Sequence, residues 1–80
     1  MTETQILAAC TRILRDLIGD DTIDLTPQTR RGDVAGWDSF MYVSFIVALA
    51  LELGIRFGVG DVESFETGGD IVREVRAIQG

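Results

Sequence analysis

From Ser39 to Leu53 the chain reads SFMYVSFIVALALEL, a run that is mostly apolar and free of Gly and Pro. It follows Gly36-Trp37-Asp38 and stops at Gly54. Asp38 stands where a helix N-cap stands, so this stretch predicts one helix over residues 39–53 with a serine in its first turn. At that place the unpaired backbone N–H groups and the positive end of the helix dipole favour a phosphate attached to the Ser39 hydroxyl. The sequence holds no His and no Lys, so neither a serine triad nor a Ser–Lys pair can be assembled to use that hydroxyl as a nucleophile. Ser39 therefore reads as a residue that is modified by another protein.

Advancing about 100° per residue from Ser39 groups Val43, Ile46, Val47, Ala50 and Leu53 on one side, with Tyr42 and Leu49 at its border. This is the expected core face. Opposite it lie Met41, Ser44, Phe45, Ala48 and Glu52, an outer face unusually poor in charge. A small helical domain cannot wrap its second helix completely, so an exposed patch of Met41, Phe45 and Phe40 beside Ser39 is expected. A different rotation of the helix would instead place Phe45 in the core, and both readings stand at this level.

The rest of the chain supplies helices around this one. Ile6, Leu7, Cys10, Ile13, Leu14, Leu17 and Ile18 recur at helical spacing and predict an amphipathic helix over about 4–18, closed by Gly19. Cys10 falls on the apolar stripe and reads as packing. Residues 20–37 form a long connection in which Ile23 and Leu25 are expected to turn inward, and Pro27 marks a turn. Asp20-Asp21-Thr22-Ile23-Asp24 resembles the start of a calcium loop. Leu25 and Arg31 stand where that loop needs Gly and Glu, which rejects the site. Arg30-Arg31 could bind an anion, although a solvated loop pair is the simpler reading. Gly58-Val59-Gly60 lacks the third glycine and preceding strand of a dinucleotide site, so it reads as a turn. Asp61 is expected to cap a short helix over about 61–66. Asp70 or Thr67 then starts a last helix over about 70–78, with Ile71, Val72, Val75 and Ile78 as its apolar stripe.

Eighty residues allow one domain, 1–80, with a single modest core. A net charge of −6 argues against nucleic acid as partner, because phosphate neutralisation needs Lys and Arg. The lone cysteine can form no internal disulfide, and the first residues carry no signal-peptide block. The apolar run at 39–53 is shorter than the roughly twenty residues that span a bilayer. A cytoplasmic protein is the expectation.

Gly36-x-Asp38-Ser39-Phe40, then Val43, Ala48-Leu49 and Gly54-Ile55-x-Phe57, resemble the acyl carrier protein family, which includes peptidyl and aminoacyl carriers. Thr67-Gly68-Gly69-Asp70-Ile71-Val72 is similar to the start of that family's last helix. The resemblance implies an all-α four-helix bundle with a long loop between the first two helices and a short third helix. It also implies 4′-phosphopantetheine on Ser39, added by a phosphopantetheinyl transferase. Asp38 would then cap the helix and assist loading through the transferase's magnesium, while Phe40 would contact partners next to the attachment point. Acyl-loading and acyl-processing enzymes are the implied partners, in fatty-acid, polyketide or other natural-product biosynthesis, with Met41, Phe45 and Glu52 as candidate contacts.

Many family members carry acidic residues where this chain has Ser44, Ala50 and Leu51. Recognition is therefore expected to depend on apolar contact more than on charge. A monomer is expected, with self-association through the second helix as the other possibility. The resemblance is compatible with a free-standing carrier and with a domain of a larger synthase. Whether the aliphatic core shelters a cargo chain or is simply well packed reads identically here. The alternative function is an unmodified helical interaction module of the same fold. A hydrolase using Ser39 lacks a base, and no metal site is expected.

Overall fold

The computed structural model describes all residues, Met1–Gly80. Four α-helices follow in order: α1 Glu3–Ile18, α2 Ser39–Leu53, α3 Val59–Ser64 and α4 Gly68–Gln79, with a 3-10 turn at Arg31–Asp33 in the first connection. The chain is an all-α four-helix fold in which α1 packs on both α2 and α4.

Local signals account for the helix ends. Thr2 caps α1 by accepting from the Gln5 N–H at 3.2 Å while the Gln5 side chain accepts from the Thr2 N–H at 2.9 Å. Thr67 and Asp70 make the same reciprocal pair at the start of α4, at 3.3 and 3.1 Å. The last helix therefore starts two residues before the expected 70. For α3 the cap is Gly58, with no side-chain bond, rather than Asp61, and the helix spans 59–64 instead of 61–66.

The core gathers Ile6, Cys10, Ile13 and Leu14 of α1, Tyr42, Phe45, Ile46 and Leu49 of α2, and Ile71, Val72 and Val75 of α4. Ile78, expected to extend the α4 stripe, lies exposed near the chain end. Burial pushes the Cys10 thiol up to about 12, so the packing role of that residue is accompanied by chemical inertness.

The long connection is tied down along its length. Ile23 and Leu25 turn into the core. The Leu25 N–H donates to the buried Thr11 hydroxyl at 3.0 Å, and Arg15 Nε donates to the Ile23 carbonyl at 2.6 Å. Further on, the N–H groups of Gly68 and Gly69 donate to the carbonyls of Thr29 and Pro27, each at 2.9 Å. Those bonds satisfy the free first turn of α4. They also bring two backbones so close that a Cβ on Gly68 would overlap the Thr26 carbonyl oxygen. The connection thus crosses the bundle as a strap and returns the chain to Trp37, at the start of α2.

Candidate site at the start of the second helix

Trp37 decides how α2 sits. It immediately precedes the cap, is buried, and lays its ring against Tyr42 (centroids 6.0 Å apart) and edge-on to Phe45 (5.3 Å). Contact between the residue before the cap and the fourth helical residue is a hydrophobic staple, which fixes the direction in which the helix enters. With Tyr42 and Phe45 held inward, Ile46 and Leu49 follow at helical spacing.

The core face of α2 is therefore Tyr42, Phe45, Ile46 and Leu49, rotated by roughly a quarter turn from the expected one. This corrects the expected exposed patch. Phe45 is 0% exposed, and Met41 is half-buried against the core. Val43 and Val47, expected inside, are 58% and 53% exposed. Together with Phe40 at 76% and Leu51 at 79% they form an apolar stripe along the outer side of the helix. Glu52 is paired with Arg12 of α1.

Asp38 caps the helix, its Oδ1 accepting from the Met41 N–H at 2.9 Å. The Tyr42 N–H donates to the Asp38 carbonyl at 2.8 Å, whereas the N–H groups of Ser39 and Phe40 have no partner within the chain. Ser39 is exposed, and it opens onto a groove of ≈ 460 Å³ whose walls include Arg31, Tyr42, Val43, Val59 and Val62. The Tyr42 hydroxyl donates to the Val62 carbonyl at 2.6 Å and ties α2 to α3 across the groove floor. Beyond Phe57 and Val62, a second and more apolar depression of ≈ 600 Å³ continues past Val47 and Leu51. No cluster of three or more His, Cys, Asp or Glu side chains is arranged to hold a metal, and no helix is long and apolar enough to cross a membrane.

The arginine pair divides at this site. Arg30 approaches Glu66 at 3.7 Å and bridges by backbone to Thr67. Arg31 turns the other way, its guanidinium 4.4 Å from the Tyr42 ring centroid, as a cation–π contact. From the sequence the pair reads as a solvated loop pair or an anion site, with nothing local to separate Arg31 from Arg30. The turn beginning at Arg31 sends the two side chains apart.

No protein-family model matches the chain. Among solved structures it is similar to holo acyl carrier protein from Geobacter metallireducens, determined by solution NMR. The two are 32% identical, with a TM-score of 0.84, and the match covers 92% of this chain and 85% of that one. The chain belongs to the acyl carrier protein family. Its general function is thus acyl carriage, a non-catalytic role. The start of α2 in this carrier brings together an exposed hydroxyl, two free N–H groups, an arginine and an apolar-walled groove.

Proposed function

We propose that Ser39 is the attachment point of 4′-phosphopantetheine and that the loaded chain presents a thioester-linked acyl group to the enzymes of a biosynthetic pathway. The observation that carries this reading is the exposed Ser39 hydroxyl at the first position of a capped helix, beside two unpartnered N–H groups. A phosphate ester there gains from the helix dipole and from free donors. Loading forms a bond from Ser39 Oγ to the β-phosphorus of coenzyme A. The bond to 3′,5′-ADP breaks, and the serine proton goes to a base of the phosphopantetheinyl transferase, since this chain has no His or Lys to take it. Asp38 holds the first turn in shape and puts a carboxylate beside the reacting oxygen, where the transferase's magnesium would be met. When attached, the arm supplies the thiol that holds cargo.

An acyl cargo suits the apolar depression past Val47 and Leu51 better than a charged aminoacyl group does. Fatty-acid, polyketide and related natural-product pathways all supply such cargo. Phe40, with Val43, Val47 and Leu51, offers partner enzymes an apolar strip next to the attachment point. Binding to such partners should weaken little with added salt, because the strip itself carries no charge. The same strip would serve an unmodified interaction module.

Intact mass separates the two readings. After incubation with coenzyme A and a phosphopantetheinyl transferase, the wild type should gain one phosphopantetheine and Ser39→Ala none. A thiol-specific maleimide gives a second readout. It should leave the native unloaded protein unlabelled, because Cys10 is buried with its thiol held near 12, and should add one label after loading. No mass gain on the wild type would reject carriage on Ser39 and leave the interaction module.

A further inference from the structure

Three ion pairs occupy the charged side chains that meet: Arg12 with Glu52, Arg30 with Glu66, and Arg73 with Asp70. Arg31 is in none of them, although acidic residues outnumber basic ones by 13 to 7. Arg15, Arg56 and Arg76 are likewise in no ion pair, but of these four only Arg31 lines the groove that Ser39 opens onto. The Arg31 guanidinium lies 4.4 Å from the centroid of Tyr42, and Tyr42 follows Ser39 by three residues on the same side of α2, one turn away. The Tyr42 ring is a fixed platform, packed on Trp37 and anchored through its hydroxyl to the Val62 carbonyl. Stacking on that platform restricts the arginine without using its N–H donors, so the planar fork stays available to an anion.

We propose that Arg31 binds the phosphodiester of the arm on Ser39 and thereby directs the arm into the groove between α2 and α3. This rests on the phosphopantetheine reading above and adds to it a residue and a direction. The phosphodiester carries one negative charge, which Arg31 meets from one side and the free N–H groups of Ser39 and Phe40 from the other. The next group along the arm bears two methyls on a quaternary carbon. Val43, Val59 and Val62 line the groove where those methyls would come to rest. Arg31 is therefore a positioning residue: it leaves the Ser39 hydroxyl untouched and governs where the arm lies after loading.

The test compares loaded wild type with loaded Arg31→Gln and Arg31→Lys by amide and phosphorus NMR, with intact mass as the check on loading. Arg31 is exposed, so both variants should fold. Loading the wild type should shift the amides of Val43, Val59 and Val62 as well as those next to Ser39. In Arg31→Gln the shifts along the groove should fall by at least about half, as expected for the loss of a charge-assisted contact, and the phosphorus resonance should move. Arg31→Lys, which keeps the charge but not the fork, should recover part of both. Equal groove shifts in wild type and Arg31→Gln would overturn the assignment of Arg31 while leaving loading intact. If none of the three proteins gained the arm's mass, the carrier reading would fail and this proposal with it.

Discussion

Helices α1 and α2 begin and end alike. Each starts on a side chain that accepts from the third helical N–H, Thr2 for α1 and Asp38 for α2, and each stops at a left-handed glycine, Gly19 at φ 78° and Gly54 at φ 66°. Between those ends they differ. α1 has polar residues along one flank, so only one orientation buries its apolar stripe. In α2 nearly every flank is apolar, and hydrophobicity alone leaves its rotation undecided. The staple from Trp37 decides it. The consequence is at the surface: a helix that remains apolar after its core face is satisfied leaves Phe40, Val43, Val47 and Leu51 exposed as one stripe.

The largest expected effect tests that division within α2 itself. Phe45→Ala removes a fully buried ring that meets Trp37, and should lower unfolding free energy by about 3–5 kcal/mol. Leu51→Ser, six residues further along, removes a large apolar side chain that is 79% exposed, and should change stability by less than about 0.5 kcal/mol. Urea unfolding followed by circular dichroism measures both. Comparable losses from the two substitutions would mean that α2 is not rotated as described.

The contrast also marks how much of the molecule could be read from residues alone. Helix α1 declares its extent and its face through Ile6, Cys10, Ile13 and Leu14. For α2 the extent is equally plain from Asp38 and Gly54, while the face depends on a contact between Trp37 and Tyr42. That contact has a sequence signature, an aromatic residue before the cap and another at the fourth helical position, and it sets the rotation. Helix α3 carries no such mark. Its cap is Gly58, which makes no side-chain bond, so nothing local separates a start at Val59 from one at Asp61. Arg30 and Arg31 are neighbours in sequence with opposite destinations, and only the 3-10 turn at Arg31–Asp33 and the ring of Tyr42 distinguish them. The place of Ser39 at the first position of α2 was legible because its setting is local. Its groove was not, since Val59 and Val62 reach it from another helix.

A smaller effect sharpens the likeness of the helix ends. Thr2→Ala and Asp38→Ala each remove a capping acceptor, and each should cost about 1 kcal/mol. Only the second should also slow loading by the transferase, because only Asp38 adjoins Ser39. Equal loading rates for Asp38→Ala and wild type, at matched stability, would reduce Asp38 to a structural cap.

The smallest expected effect concerns the capping pair of α4, Thr67 and Asp70. The Asp70 carboxylate accepts from the Glu66 N–H at 2.9 Å and the Thr67 N–H at 3.1 Å, and also meets Arg73. The Glu66 N–H first, then the Thr67 N–H and Arg73, hold its carboxyl below the usual carboxylate range. A carboxyl lowered by folding adds stability that is complete above its unfolded value, near ~3.9, and that disappears as pH falls through the lower folded value. The site is open to solvent, so screening keeps the contribution small. Asp70→Asn keeps one acceptor but cannot ionise, so it should lie slightly below wild type near neutrality, converge with it as pH falls below about 4, and thereby show a flatter acid limb. An unchanged acid limb would place the acid sensitivity of this fold among its other carboxylates and not at the reciprocal pair of Thr67 and Asp70.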